Sequence, residues 1–242
     1  MQPIKKSSKL DHVGYDIRGP VLDLANEMIE QGIDILRLNT GNPAPFGFDA
    51  PDAMIEALIQ QIRASQGYSD SKGIPSAREA IAAYCAKKGI PGVTPADIYT
   101  GNGLSELIVL AMQALLEPGD EILVPAPDYP LWSAAITLAG GRPVYYMCDE
   151  KAEWNPDMAD MRAKVTSRTR AVVVINPNNP TGALYPKEIL LEIAELARQN
   201  DLIIFADEVY DRLVLDGQEH HAMGALAPDL FPSPVQGLQY KR

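Results

Sequence analysis

Only two cysteines, Cys85 and Cys148, occur in 242 residues, and they lie far apart with no histidine beside either. That scarcity excludes a disulfide-stapled scaffold and a closely spaced thiolate metal site, and it suits a reducing compartment in which both thiols are inert. No window approaches 18 consecutive apolar residues, so no segment reads as a membrane-spanning helix. The basic start, MQPIKKSSKL, runs into DHVGYDIRGP rather than an apolar stretch, unlike a secretory leader. Positive charge is also scarce. With 21 Lys and Arg against 32 Asp and Glu, the net charge of -11 disfavours nucleic acid and anionic membranes as partners. No repeat, low-complexity tract or interdomain linker stands out, and the expected location is cytoplasmic.

What is present is an ordinary 46% of hydrophobic residues, enough for a sizeable core, in an α/β pattern. The pattern is clearest from Ala171 to Asp211. The runs AVVVI and LIIFA flank a helical segment, Lys187–Gln199, whose apolar residues recur every three to four positions. Two short apolar runs around one helix read as a βαβ unit, which needs a parallel sheet covered on both faces. Each run stops at polar residues, Asn176–Asn179 and Asp207–Glu208. In open parallel sheets the ligand crevice lies outside the carboxyl ends of the strands, which is where Asn179, Asp207 and Tyr210 fall.

Upstream, the spacing predicts helices at Val21–Gln31, at about Pro51–Arg63 with Asp49 or Asp52 as cap, and at Ser76–Lys88. Further helices are expected at Leu104–Leu116, Ser133–Ala139 and Pro156–Val165. Strands are expected at Ile35–Leu38, Ile98–Thr100, Glu121–Val124 and Pro143–Met147. The turn GNGLSE opens the Leu104 helix with free amides at the positive end of its dipole, suited to a phosphate, and Ser105 could add a hydroxyl. It matches neither the dinucleotide fingerprint nor a P-loop, and a plain strand-to-helix turn reads equally well. Tyr129, in the proline-rich PAPDYP, suits either stacking on a planar ligand or core packing. Tyr68 is a loop aromatic whose plain reading is packing.

Together these residues suit a planar, phosphorylated, nitrogen-containing ring. The motifs NTGNP, GYSDSKG, GNGLSE, PAPDYP, NPNNPTG and ADEVYD also resemble those of the class I/II, fold-type I pyridoxal-phosphate aminotransferases, from about Lys9 to Asp229. The wording is most similar to the bacterial glutamate-linked alanine/valine-type enzymes. The resemblance implies a three-layer α/β/α large domain with a mainly parallel sheet, pyridoxal 5'-phosphate as cofactor, and a homodimer. It also implies transamination between an amino acid and a 2-oxo acid, of the alanine:2-oxoglutarate type. On that basis Gly103, Leu104 and Ser105 would hold the phosphate and Tyr129 would stack on the ring. Asn179 and Tyr210 would bond its phenolic oxygen, and Asp207 would pair with its nitrogen. Gly41, with Asn179, would line the amino-acid pocket, and Tyr68 would reach the phosphate of a neighbouring subunit.

The resemblance further implies a cofactor-binding lysine at position 240, where the chain has Tyr240; Lys241 is one residue late and lacks the preceding serine. The tail FPSPVQGLQYKR departs from the expected apolar strand, because Pro232 and Pro234 would break it. The expectation is a truncated or frame-disrupted product, impaired in catalysis for want of that lysine. Its parts would be an arm and small-domain contribution over 1–48, an incomplete cofactor-binding large domain over 49–230, and an aberrant tail over 231–242. A non-catalytic cofactor-binding or subunit-interaction fragment is the alternative, and an unrelated phosphate-binding α/β protein a third reading.

Overall fold

The computed structural model describes residues 5–14, 19–37 and 41–230. Tyr240, Lys241 and the rest of the 231–242 tail lie outside the described residues. The chain divides into two compact units, residues 16–70 and residues 71–242 with the first fifteen.

The smaller unit carries α1 (Pro20–Glu30) and α2 (Asp52–Gln61). Proline at the first position of α1 forfeits an amide that has no helical acceptor anyway, and Gly32, at φ +81°, follows its end in the left-handed conformation a side chain would resist. The N-cap of α2 is Pro51, with no side-chain cap bond, so neither Asp49 nor Asp52 plays the expected role. Residues 33–37 form no strand, because a strand needs a ladder partner for its amides and carbonyls and none pairs with them among the described residues. Leu38 lies outside those residues.

The larger unit is built on α3 (Pro75–Lys87), α4 (Gly103–Leu115), β1 (Glu121–Ala126), α5 (Leu131–Leu138), β2 (Arg142–Asp149), β3 (Asn155–Pro156), α6 (Met158–Lys164), β4 (Thr169–Ile175), α7 (Lys187–Asn200), β5 (Ile203–Asp207) and α8 (Met223–Leu226). The strands form one sheet in the order β3-β2-β1-β4-β5. β2, β1, β4 and β5 run parallel, and the short β3 pairs antiparallel with β2. The expected βαβ unit is therefore present as β4-α7-β5, in a register that sets Ile175 beside Asp207. Pro156, expected to begin a helix, instead forms β3 with Asn155, and Asp157 caps α6 by accepting the amides of Ala159 and Asp160.

Side-chain alternation along the strands creates the layers. Ile122, Val124, Ala171, Val173 and Ile175 face Ile108 and Met112 of α4 and Trp132 and Ile136 of α5. Leu123, Val172 and Val174 face the other way, onto Met161 of α6, Leu190 and Ile193 of α7 and Met223 of α8. Both sheet faces are thus covered, and the architecture is the expected three-layer α/β/α sandwich. At about 1.5–3 kcal/mol per buried aliphatic side chain, these two clusters supply the main drive to fold.

Ile98–Thr100 is not a strand. Thr100 makes one backbone bond, its amide donating to the Lys72 carbonyl at 2.8 Å, which ties the segment to the loop before α3 rather than to the sheet. No described helix is long and apolar enough to cross a membrane.

Candidate functional site

Four loops leave the carboxyl edge of the sheet or open a helix there, and local chemistry decides which side chains stay available. The loop after β4 is held by its own asparagines. Asn176 Oδ1 accepts the Tyr185 amide at 2.9 Å, and Asn178 Oδ1 accepts the Thr181 amide at 3.2 Å and hydroxyl at 2.9 Å. Asn178 Nδ2 donates to the Tyr185 hydroxyl at 3.4 Å. Asn179 is half-buried, and among the described residues nothing engages its amide. Asn176 Nδ2 also has no partner among the described residues but is buried, so of the three asparagines in the motif Asn179 is the one both uncommitted and accessible to a ligand. Across a cavity of about 430 Å³ it meets Tyr210, from the loop after β5; Leu213–Asp216 and Gln218 complete the lining on that side.

Asp207 ends β5 and is 4% exposed. Its Oδ2 accepts the indole N–H of Trp132 at 3.0 Å, while Oδ1 has only a long 3.4 Å contact from the Val209 amide. Burial pushes the carboxyl above its usual range, and the neighbouring Glu208 adds to this, while the donors from Trp132 and Val209 work against it. Glu208 is itself held by Lys88, whose ammonium also bonds Asp211 at 2.9 Å. Tyr84 Oη donates to Asp211 at 2.6 Å, and the Met223 amide donates to Glu208 Oε1 at 2.8 Å. The turn that carries Asp207 and Tyr210 is therefore pinned to α3 and α8 on both sides.

Tyr129 is half-buried and packs with Leu104 and Phe205 against the cluster that contains Trp132. Its neighbour Asp128 has a buried Oδ2 without a partner among the described residues, and burial pushes its carboxyl up despite bonds at Ser133. At the start of α4, Gly103 sits at φ +76°, and a Cβ there would enter open space in front of the helix. The Gly103 amide is spent on the Gly101 carbonyl at 2.8 Å, and the Asn102 amide on Glu106. The Leu104 and Ser105 amides have no intrahelical acceptor, and Asn102 provides no side-chain cap.

The structure thus groups Asn179 with Tyr210, and Asp207 with Trp132, near Tyr129 and Leu104. Gly41 and Tyr68 belong to the smaller unit; both are exposed. Sequence reasoning missed Trp132 and Lys88. The signal for Trp132 was its position at the start of α5, three residues after Tyr129; Lys88 had none, because its partners lie some 120 residues away.

This donor set fits pyridoxal phosphate: uncommitted helix-terminal amides for a phosphate, an aromatic face, an amide and a phenol, and a buried carboxylate with one oxygen nearly free for a ring nitrogen. No group of His, Cys, Asp and Glu among the described residues could hold a metal ion. The fold and the site define an α/β protein whose ligand crevice lies at the carboxyl edge of a parallel sheet and is equipped for a planar, anionic, basic-nitrogen cofactor.

The chain belongs to the family described as aminotransferase class I and II, which it matches over residues 33–231; that family is pyridoxal-phosphate-dependent. It is 59% identical over 238 residues to the glutamate-pyruvate aminotransferase AlaA of Escherichia coli (strain K12), covering 98% of this chain and 59% of that protein. It is 51% identical to the alanine aminotransferase of Mycobacterium tuberculosis (strain H37Rv), covering 96% of this chain and 54% of that one. The fold superposes on a crystal structure of an aminotransferase from Escherichia coli with a TM-score of 0.90 and 60% identity, covering 93% of this chain and 56% of that one. On the aspartate aminotransferase of Thermus thermophilus with maleate the values are 0.78, 35%, 93% and 56%. The chain therefore spans somewhat more than half the length of the relatives it matches.

Proposed function

We propose that this chain is the cofactor-binding part of an amino-acid transaminase that moves an amino group between alanine or glutamate and the corresponding 2-oxo acids. The observation that carries the reading is the Asp207 carboxylate, buried at a strand end with one oxygen fixed by Trp132 and the other nearly free. The names of its relatives, glutamate-pyruvate and alanine aminotransferase, support the choice of substrates.

Bound pyridoxal phosphate would supply an electron-withdrawing ring able to stabilise negative charge on the substrate's Cα. The chain's own residues bind and orient it. The Leu104 and Ser105 amides and the Ser105 hydroxyl would take the phosphate, with the helix dipole favouring its charge. Tyr129 would cover one ring face. Asn179 and Tyr210 would donate to the phenolic oxygen, and Asp207 would keep the ring nitrogen protonated. Gly41 would line the substrate pocket, and Tyr68 would reach the phosphate held by a second subunit. A homodimer accords with the exposed apolar residues Val21 and Leu24 of α1 and Met54, Leu58 and Ile59 of α2. A cytoplasmic location accords with two free cysteines.

The test is titration of the purified chain with pyridoxal phosphate, followed by absorbance, then borohydride reduction and peptide mapping, with Lys241 as the candidate labelled residue. Saturable binding with a spectral shift is expected of this chain; because position 240 carries Tyr240, pyruvate formation from alanine and 2-oxoglutarate is expected of a form that carries the family's lysine. Absence of saturable binding would overturn the reading.

A further inference from the structure

The pairing of Trp132 with Asp207 does more than fill the core. Trp132 is 3% exposed and sits in the first turn of α5. Phe205 and Asp207 are two residues apart on β5, so the pleat turns both toward the same layer. The indole meets both. Its ring lies 5.6 Å from that of Phe205 at 48°, and its N–H reaches Asp207 Oδ2 at 3.0 Å. The same helical turn is tied to the ring-stacking candidate, because the Trp132 amide donates to the Tyr129 carbonyl at 3.0 Å.

We propose that Trp132 is a positioning residue for the cofactor's ring nitrogen: it locks Asp207 through Oδ2, so that Oδ1 alone is presented to the protonated nitrogen. This rests on the cofactor reading above. An indole N–H is a donor only. It can neither take a proton from the carboxyl group nor accept one from the ring, so it favours the ionised carboxylate at every working pH. A charge-assisted bond in a site this dry is stronger than a neutral one. It also offsets the two influences that work against ionisation, burial and the neighbouring Glu208. Tyr129 and Asp207 then keep a fixed relation through one aromatic residue, so the stacking face and the nitrogen's partner are placed together. α5 and β5, separated by some seventy residues, are joined here at the point where ring orientation is set.

The experiment compares affinity for pyridoxal phosphate with affinity for its analogue in which the ring nitrogen is replaced by C–H. The ratio of the two reports the nitrogen's interaction alone. In the parent chain the natural cofactor should bind more tightly. Trp132→Phe, which keeps an aromatic ring and removes the donor, should reduce that ratio about tenfold. Phe205→Leu, which disturbs the packing of the indole and leaves its N–H, should weaken both ligands alike and leave the ratio unchanged. If Trp132→Phe does not fold, 3-benzothienylalanine at position 132, an isostere without the N–H, takes its place. An unchanged ratio in the donor-less variant would overturn the proposal. If the parent binds neither ligand, the cofactor reading itself fails. What the proposal says of the chain alone, that the indole N–H holds Asp207 as the carboxylate, is then decided in the free chain by ¹³C titration of the Asp207 carboxyl, which must move upward in Trp132→Phe.

Discussion

Replacing Lys88 with methionine tests the reading that a half-hidden charge network holds the turn bearing Asp207 and Tyr210. The Lys88 ammonium lies 2.5 Å from Glu208 and 2.9 Å from Asp211, with side-chain exposures of only 16%, 14% and 13%. Methionine keeps the length and removes the cation, leaving two poorly hydrated carboxylates facing each other. Removing one partner of a buried ion pair costs about 3–5 kcal/mol. Arg212, which bonds the Tyr84 hydroxyl at 3.1 Å, and His220 both act on Asp211, so the low end, about 3 kcal/mol, applies. For a chain of this size that corresponds to a fall in melting temperature of about 6–12 °C. The pH profile supplies a second check. Burial pushes the Lys88 ammonium down, but its bonds to Glu208 and Asp211 prevail and the net shift is upward. Its contribution is therefore complete below the ordinary lysine range and lost as pH rises through the folded value. Burial pushes Asp211 up, but bonds from Tyr84 and Lys88 prevail and the net shift is downward. Its contribution is complete above the ordinary aspartate range and lost as pH falls through the folded value. The gap between parent and variant should thus be flat through the neutral range and close at both ends, in acid from above the ordinary carboxylate range because the variant's two facing carboxylates protonate early. Thermal unfolding followed by circular dichroism measures it. A gap below about 1 kcal/mol at pH 7, or one with no closure in acid or alkali, refutes the network as described.

In an intact enzyme that carries the family's lysine, Asp207→Asn should lower amino-acid transamination by about three decades. The basis is a loss of about 4 kcal/mol of charge pairing at an effective dielectric near 20, and initial rates within a few fold of the parent would contradict the assigned role. Glu121, fully buried, accepts bonds from Arg142, Arg168 and Thr166; burial pushes its carboxyl up but these donors hold it below its usual range. Because both arginines are more than half exposed and can rehydrate, Glu121→Gln should cost about 2 kcal/mol in urea unfolding at pH 7. That cost should shrink as pH falls through the carboxyl's depressed folded value. Gly73 sits at φ +106°, and a Cβ there would lie 1.9 Å from Thr100 Oγ1. Gly73→Ala should therefore cost about 2 kcal/mol or more, and a double variant with Thr100→Gly should lose less than the sum of the two single changes.

The β4-α7-β5 unit was legible in the sequence because its strands are buried on both faces and read as unbroken aliphatic runs, while α7 shows a plain helical period. The polar stops at Asn176 and Asp207 marked the ligand edge for the same reason, since a buried strand becomes polar only where it leaves the core. Ile98–Thr100 misled because a short apolar run shows no partner; only the tertiary contact with Lys72 reveals a loop. Which asparagine of NPNNPTG remains available could not be read locally either. It depends on Tyr185 and Thr181 consuming the other two. The Trp132–Asp207 bond and the Lys88–Glu208–Asp211 cluster join residues 75 to 123 positions apart, distances over which sequence periodicity carries no information. Composition and motif determined the fold class and the chemistry of each strand end. The tertiary structure alone decided which oxygen of Asp207 is fixed and which is left for a ligand, because that choice is made by groups that only folding brings together.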